Sequence, residues 1–323
     1  MKHFSSPLAS LLIFLTLPPA LAQSQVTGSG TPNYLPLWTS STNLGNSKIV
    51  QNGSSVTINR GLRVQSTATT PNIIGGFSGN SVASGVVAAT IAGGGANGGP
   101  NMVNANFATV GGGAANLASG GDSTVSGGSA NTASGINATV PGGSLNLAQG
   151  TDSFAAGTSA QALSNGAFVW GDDSTTNAVG DIGPNSFVAR ASGGVAFYSD
   201  STLASGVTLA SGSGSWSSLS DRNAKDHLLP VDGHALLAAL ASMPISTWNY
   251  RTQPSSIRHI GPTAQDFRYA FGLGEDDTHI SVVDADGTAL AAVQALYRSV
   301  QEKEERIQNL EQRLEQLEQM VKK

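Results

Sequence analysis

Ala108-Thr-Val-Gly-Gly-Gly-Ala-Ala-Asn-Leu-Ala-Ser-Gly-Gly-Asp122, Ser123-Thr-Val-Ser-Gly-Gly-Ser-Ala-Asn-Thr-Ala-Ser-Gly-Ile-Asn137 and Ala138-Thr-Val-Pro-Gly-Gly-Ser-Leu-Asn-Leu-Ala-Gln-Gly-Thr-Asp152 are one fifteen-residue unit written three times. Val110, Val125 and Val140 hold the same place in each copy. Ala89-Thr-Ile-Ala-Gly-Gly-Gly95 starts an earlier copy with a small insertion, and Ser153-Phe-Ala-Ala-Gly157 and Ala167-Phe-Val-Trp-Gly171 are degenerate copies that close the array. Self-similarity at a fixed period implies stacked coils. A disordered Gly/Ser/Ala linker has no reason to hold valine in register.

Each unit reads as two very short strands joined by glycine turns. Val and Ala point inward, the Gly-Gly pair supplies positive-φ corners, and Asn116, Asn131 and Asn146 suit turn positions where the side chain bonds its own backbone. Ordering a residue costs ~1–2 kcal/mol, a buried methylene returns only ~0.8 kcal/mol, and these units own little beyond Ala and Val. The array is expected to stack against copies of itself.

The alternation of Gly-Gly, Asn and Ala-Ser-Gly over roughly residues 86–180 resembles the head repeats of YadA-like trimeric adhesins. That resemblance implies a left-handed parallel β-roll in a three-chain bundle. Upstream, Gly30-Thr-Pro-Asn-Tyr-Leu-Pro-Leu-Trp38 and Asn43-Leu-Gly-Asn-Ser-Lys-Ile-Val50 resemble short β-repeats at the start of phage tail-fibre-like proteins.

At the N-terminus, Lys2 and His3 precede an apolar run from Leu8 to Leu17 and then Ala20-Leu21-Ala22 before Gln23, the pattern of a cleavable secretory signal. Export, to the medium or the cell surface, is therefore expected. No second apolar run approaches the ~18 residues needed to cross a bilayer. The chain has no cysteine, which removes disulfides, thiolate catalysis and cysteine-ligated zinc. Net charge is −5, but its placement matters more: charges are scarce between Gln23 and Ser218 and dense after Ser220. No basic patch interleaved with aromatics offers a footprint for nucleic acid.

Apolar residues recur at Val293, Val300, Ile307, Leu314 and Val321, with Leu296, Leu310 and Leu317 on a second seam and Lys303 as its one polar member. Four heptads of this a/d pattern predict a coiled coil. Arg306 with Glu311, and Arg313 with Glu318, fall at g and following e′ positions and pair across parallel, in-register helices. β-branched residues at a with leucine at d favour two strands, whereas the head resemblance asks for three. Three is preferred, because four heptads are a weak determinant beside a long β-roll.

Between these regions the composition is that of an ordinary globular domain. His234–Met243 has helical spacing, Ile245–Tyr250 alternates as a strand, and Thr263–Phe271 reads as a short helix. About seventy residues bury little core alone. Ser220-Asp221 followed by Lys225, the strand Ser246–Tyr250, Arg258-His-Ile-Gly-Pro-Thr-Ala-Gln-Asp-Phe267, Gly274-Glu-Asp-Asp277 and Val283–Leu290 run in one order. Over about residues 217–310 this resembles the intramolecular chaperone domain of phage tailspikes and endosialidases, the peptidase S74 family. The resemblance implies a domain that trimerises, drives assembly of the preceding fibre and cleaves itself off with a Ser-Lys dyad. The corresponding residues are Ser220 and Lys225, with the cut between Leu219 and Ser220.

The chemistry stands on its own terms. A serine hydroxyl is a poor nucleophile until a base takes its proton, and a lysine does so only if burial lowers its pKa from ~10.4 toward neutrality. A gap of five residues suits neither strand nor helix, so a turn at Arg222-Asn-Ala224 must bring the two together. Attack on the Leu219 carbonyl then gives an ester that water opens. Without the family, Ser220 or Asp221 reads as a helix N-cap and Lys225 as a solvated charge. His227 and His259 are possible helpers, though core or surface roles fit each better. Asp276, Asp277, Asp284 and Asp286 lack calcium-loop spacing and read as a solvated turn.

The expected architecture is mainly β: a signal peptide over 1–22, a β-rich stalk over 23–85, β-roll repeats over 86–180, a connector over 181–218, a small α+β chaperone domain over 219–292 and a parallel coiled coil over 293–323. The expected function is an exported homotrimeric fibre with a self-cleaving chaperone, a single-turnover serine endopeptidase needing no cofactor or metal. The alternative is a structural surface adhesin whose C-terminal domain only trimerises. A glycan-active head finds no paired carboxylates in the repeat, and a cell-surface or glycan ligand for it is left open.

Overall fold

The computed structural model describes residues 34–38, 44–52, 55–58 and 70–322; the signal sequence expected over 1–22 lies outside them. The chain divides into two compact units, Met1–Arg190 and Ala191–Lys323. In the first, Tyr34–Trp38, Leu44–Asn52 and Ser55–Ile58 form an antiparallel sheet with Leu44–Asn52 in the middle.

From Ile73 to Arg190 the chain winds as a parallel β-solenoid, reaching beyond 86–180 at both ends. Strands as short as Thr109–Val110, Thr124–Val125 and Thr139–Val140 stack in one sheet, and Leu117–Ala118, Thr132–Ala133 and Leu147–Ala148 stack in a second. Because side chains alternate along a strand, one column of each sheet is internal. Ile91, Val110, Val125, Val140 and Val169 fill it from one side and Val103, Ala118, Ala133, Ala148 and Ala162 from the other, all fully buried. The outer column of the first sheet runs through Thr109, Thr124 and Thr139 and ends in stacked rings of Phe154, Phe168 and Phe187, 4.6 and 4.8 Å apart. The insertion after Gly95 is a tight turn closed by Ala96 and Gly99.

The corners differ from the sequence expectation in two respects. Glycine supplies positive φ at Gly113 and Gly128, but Ala115, Ala130 and Leu145, and Asp122, Asn137 and Asp152, also turn in the left-handed region. At Gly128 the glycine is also sterically required, since an added Cβ would meet the Gly143 carbonyl oxygen at 2.1 Å. Second, Asn116, Asn131 and Asn146 do more than bond their own turns. Asn131 donates from Nδ2 to the carbonyls of Gly127, in its own coil, and Gly143, in the next. Its Oδ1 accepts from the Asn146 amide at 3.0 Å, while its own amide donates to Asn116 Oδ1 at 3.1 Å. The result is a fully buried asparagine ladder through the solenoid. It satisfies backbone groups that a two-residue strand leaves open.

Arg190 ends the stack. Its Nε donates to Asp172 Oδ1 at 2.8 Å, and Nη2 donates to the carbonyls of Asp172, Thr158 and Thr175, pinning the last loop beneath it.

The second unit opens with an antiparallel sheet of Gly194–Tyr198, Gly206–Ala210 and Ser217–Ser218. Helix α1 (Gly233–Ser242) begins at Asp232, whose carboxylate accepts from the amides of His234 and Ala235. Strand Ser246–Trp248 pairs with His259–Gly261. Helix α2 (Ala264–Phe271) is capped by Thr263 and stopped by Gly272 at φ 65°. Helix α3 (Val282–Val321) follows as one forty-residue helix, ~60 Å long at 1.5 Å per residue. α1 rests on α3, with Gly233 against Ala295. The seam expected over 293–323 lies on α3 as an exposed apolar stripe, from 51% exposure at Val300 to 86% at Val321.

Candidate functional site

The strand Ser217–Ser218 is the third of its sheet: Thr208 faces Ser217 and Val207 faces Ser218. Leu219 continues the line, its amide donating to the Gly206 carbonyl at 3.3 Å. The chain then leaves the sheet at Ser220 and turns through a single 3-10 helix, Arg222–Ala224. Asp221 is its N-cap, accepting from the Asn223 amide at 2.9 Å and from Asn223 Nδ2 at 3.1 Å. A short polar side chain at this place relieves the first unpaired amides of the turn. The N-cap role open to either Ser220 or Asp221 thus falls to Asp221, which leaves the Ser220 hydroxyl available.

After the turn, Lys225 Nζ donates to Ser220 Oγ at 2.7 Å. The turn at Arg222–Ala224 is the one the five-residue gap demands. Both side chains are exposed in the single chain, so the packing that the chemistry asks of a lysine base is not supplied by one copy. Leu219 lines two open grooves, and Ser220 lines one of them. One, of about 500 Å³, is lined by Phe197, Leu219, Asp221, Lys225 and Glu275 among others. The other, of about 300 Å³, is lined by Tyr198, Leu203, Gly206, Leu219 and Ser220 among others. Both grooves open Leu219 to water, and the second opens Ser220 as well.

His259 belongs to a different cluster: it bonds Gln253 Oε1 through Nε2 at 2.9 Å and packs on Trp248 and Tyr250. His227 is exposed, at φ 54°. Asp276 folds its own turn, accepting from the Thr278 hydroxyl and amide and from the His279 amide and ring. These bonds, the Thr278 hydroxyl first, hold its carboxyl far below the usual carboxylate range. Asp284 lies in the first turn of α3, where negative charge meets the helix N-terminus favourably. Among the described residues no group of three or more His, Asp or Glu is placed to hold a metal ion, and no helix is long and apolar enough to cross a membrane.

Sequence reading missed Gly206 and left the cap open between Ser220 and Asp221. The Asp-Arg-Asn-Ala run is a recognisable capped turn, whereas nothing local marks Gly206, which meets Leu219 only because the sheet brings them together.

Residues 220–272 match the Peptidase_S74 family model, described as chaperone of endosialidase. The match begins on Ser220 and contains Lys225, the 3-10 turn, α1, the Ser246–Gly261 hairpin and α2. No curated protein and no solved structure matches the chain.

Proposed function

We propose that this chain is an exported homotrimeric fibre protein whose C-terminal unit is an assembly chaperone that cuts itself off between Leu219 and Ser220. The observation that carries the reading is the 2.7 Å contact of Lys225 Nζ with Ser220 Oγ at the start of the segment matching the chaperone family. The first residues, Lys2 through Ala22, support export, and a glycan or other cell-surface ligand of the head is left to experiment.

The reaction needs no group from outside the chain but water. Lys225, in its neutral form, takes the proton from Ser220 Oγ as the oxygen attacks the carbonyl carbon of Leu219. The carbon–nitrogen bond breaks, and the proton passes to the departing amine of Ser220. The product is an ester joining the Leu219 acyl group to Ser220 Oγ. Water then adds to the ester carbonyl and expels the hydroxyl, leaving a Leu219 carboxylate and a fragment that begins at Ser220. Both grooves at Leu219 admit that water.

Assembly accounts for the surfaces that one chain leaves open. The α3 stripe is exposed along its length, as are Leu228, Leu229 and Tyr269. Apolar patches of this extent mark an interaction surface, and a parallel three-chain bundle buries the stripe. The same association supplies the packing that Lys225 lacks alone, so cutting follows assembly.

Intact mass of the secreted protein tests the reading. Two fragments meeting at Leu219 and Ser220, both products of a trimer, are expected. A single uncut species that is nonetheless trimeric means instead a structural adhesin whose C-terminal unit only assembles it.

A further inference from the structure

The cut is proposed at the first peptide bond beyond a β-ladder, and the last rung of that ladder is made by a glycine. Thr208 faces Ser217, Val207 faces Ser218, and the Gly206 carbonyl accepts the Leu219 amide at 3.3 Å. The strand carrying Gly206 is fixed from its other edge by five pairs with Gly194–Tyr198. The loop that delivers Gly206 is fixed as well. Asp200 accepts from the amides of Thr202, Ala204 and Ser205 and from the Thr202 hydroxyl, and the Ser199 amide donates to the Ser205 carbonyl at 3.0 Å.

Gly206 has no room for a side chain. A Cβ there would stand 2.2 Å from the Phe197 carbonyl oxygen and 3.0 Å from the Tyr198 Cα, both backbone atoms that cannot swing aside. Any other residue must push the strand away from Gly194–Tyr198 or twist it, and either movement shifts the carbonyl that holds Leu219. By contrast, a Cβ at Gly214, in the same unit, meets nothing within 4 Å.

We propose that Gly206 is a positioning residue for self-cleavage, gripping the scissile residue from the N-terminal side while Lys225 fixes Ser220 from the other. The inference rests on the cutting reaction proposed above. The reacting bond is thereby suspended between two anchors, one on Leu219 N–H and one on Ser220 Oγ. Freezing rotation on both sides of a reacting bond is the main means by which a site converts proximity into rate. The sheet Gly194–Ser218 is then not a passive connector: it presents the chain's own Leu219 as an edge strand, as a protease presents a bound peptide.

Two measurements test this. In the full-length Ser220→Ala protein, which retains the scissile bond, hydrogen exchange at the Leu219 amide should be at least about tenfold slower than at Leu228 and Leu229; equal rates would overturn the grip. In the cleavable chain, Gly206→Ala should cut about 10- to 100-fold more slowly with the pH midpoint of cutting unchanged, whereas Gly214→Ala should cut at the parental rate. A parental rate in Gly206→Ala, or a slowed rate with a displaced midpoint, would refute a positioning role. If Gly206→Ala does not assemble, the exchange result alone decides. An unmutated chain that never cuts removes the reaction and this inference with it, whereas a chain that cuts with Leu219 unprotected removes only the inference.

Discussion

Lys225 Nζ reaches Ser220 Oγ at 2.7 Å across five residues because Asp221 caps the one 3-10 turn between them. The pairing is a product of local geometry, so it should be adjustable locally. Replacing Asp221 by Ala removes a cap worth about 1 kcal/mol, which corresponds to roughly a fivefold change in an equilibrium. Cutting by Asp221→Ala, followed by gel, should therefore slow about fivefold, while Ser220→Ala and Lys225→Ala leave a full-length chain that still trimerises. Continued cutting at Leu219–Ser220 in Ser220→Ala would dismiss the dyad.

The seam on α3 is distant in sequence from Ser220, and the proposed function couples the two through assembly. Ile307→Ser with Leu310→Ser places two polar residues in the middle of the stripe. The expected result is a monomer by light scattering in which cutting is suppressed, with both dyad residues intact. Rapid cutting by such a monomer, at a rate independent of dilution, would separate the chemistry from assembly.

The asparagine ladder should carry much of the head's stability. Asn131→Ala leaves the Gly127 carbonyl without its side-chain donor and the buried Asn146 amide without its acceptor, while the Gly143 carbonyl keeps the Ser129 amide. Each group left unpaired costs ~1–3 kcal/mol, so a loss of about 2 kcal/mol or more is expected. Asn137, whose Nδ2 donates to Asp152 on the surface and which turns at φ 56°, should cost only about 1 kcal/mol when changed to Ala, through the left-handed backbone that Ala tolerates less well. Thermal or denaturant unfolding of the two variants in the Ser220→Ala background makes the comparison; equal losses would contradict the ladder's role.

Acid should loosen the last coils of the head before the rest. Asp181 accepts from the Ser164 amide and hydroxyl and from the amides of Leu163 and Gly183. Burial works against its charge, but these bonds, Ser164's foremost, outweigh it and hold its carboxyl below the usual 3.8. A carboxylate depressed in the folded state contributes stability that is full above its unfolded value and is lost as pH falls through its folded one. Protection of the Leu163 and Ser164 amides, taken against their intrinsic exchange rates, should thus be high at neutral pH and fall below about pH 4. Asp181→Asn should remove that dependence, and an unchanged acid response in Asp181→Asn would assign it to another group.

The sequence by itself determined the solenoid, because a valine every fifteen residues sets which side of each strand faces in, and that pattern is local. It equally determined a long terminal helix with one apolar stripe, and the need for a turn between Ser220 and Lys225. Tertiary structure decided what depends on partners far apart in the chain. Asn131 looks like a turn residue in its own unit and becomes a ladder rung only when the neighbouring coils lie above and below it. The array runs from Ile73 to Arg190 because flanking segments such as Phe168–Gly171 and Phe187–Arg190 keep the inward alternation although their spacing has drifted from fifteen. Gly206 carries no signal in its own neighbourhood, since its demand for a missing side chain comes from the Phe197 carbonyl and its hold on Leu219 from a strand pairing thirteen residues along the chain. Short-range patterns fix the faces of elements; which backbone group is satisfied by which partner is settled only when those faces meet.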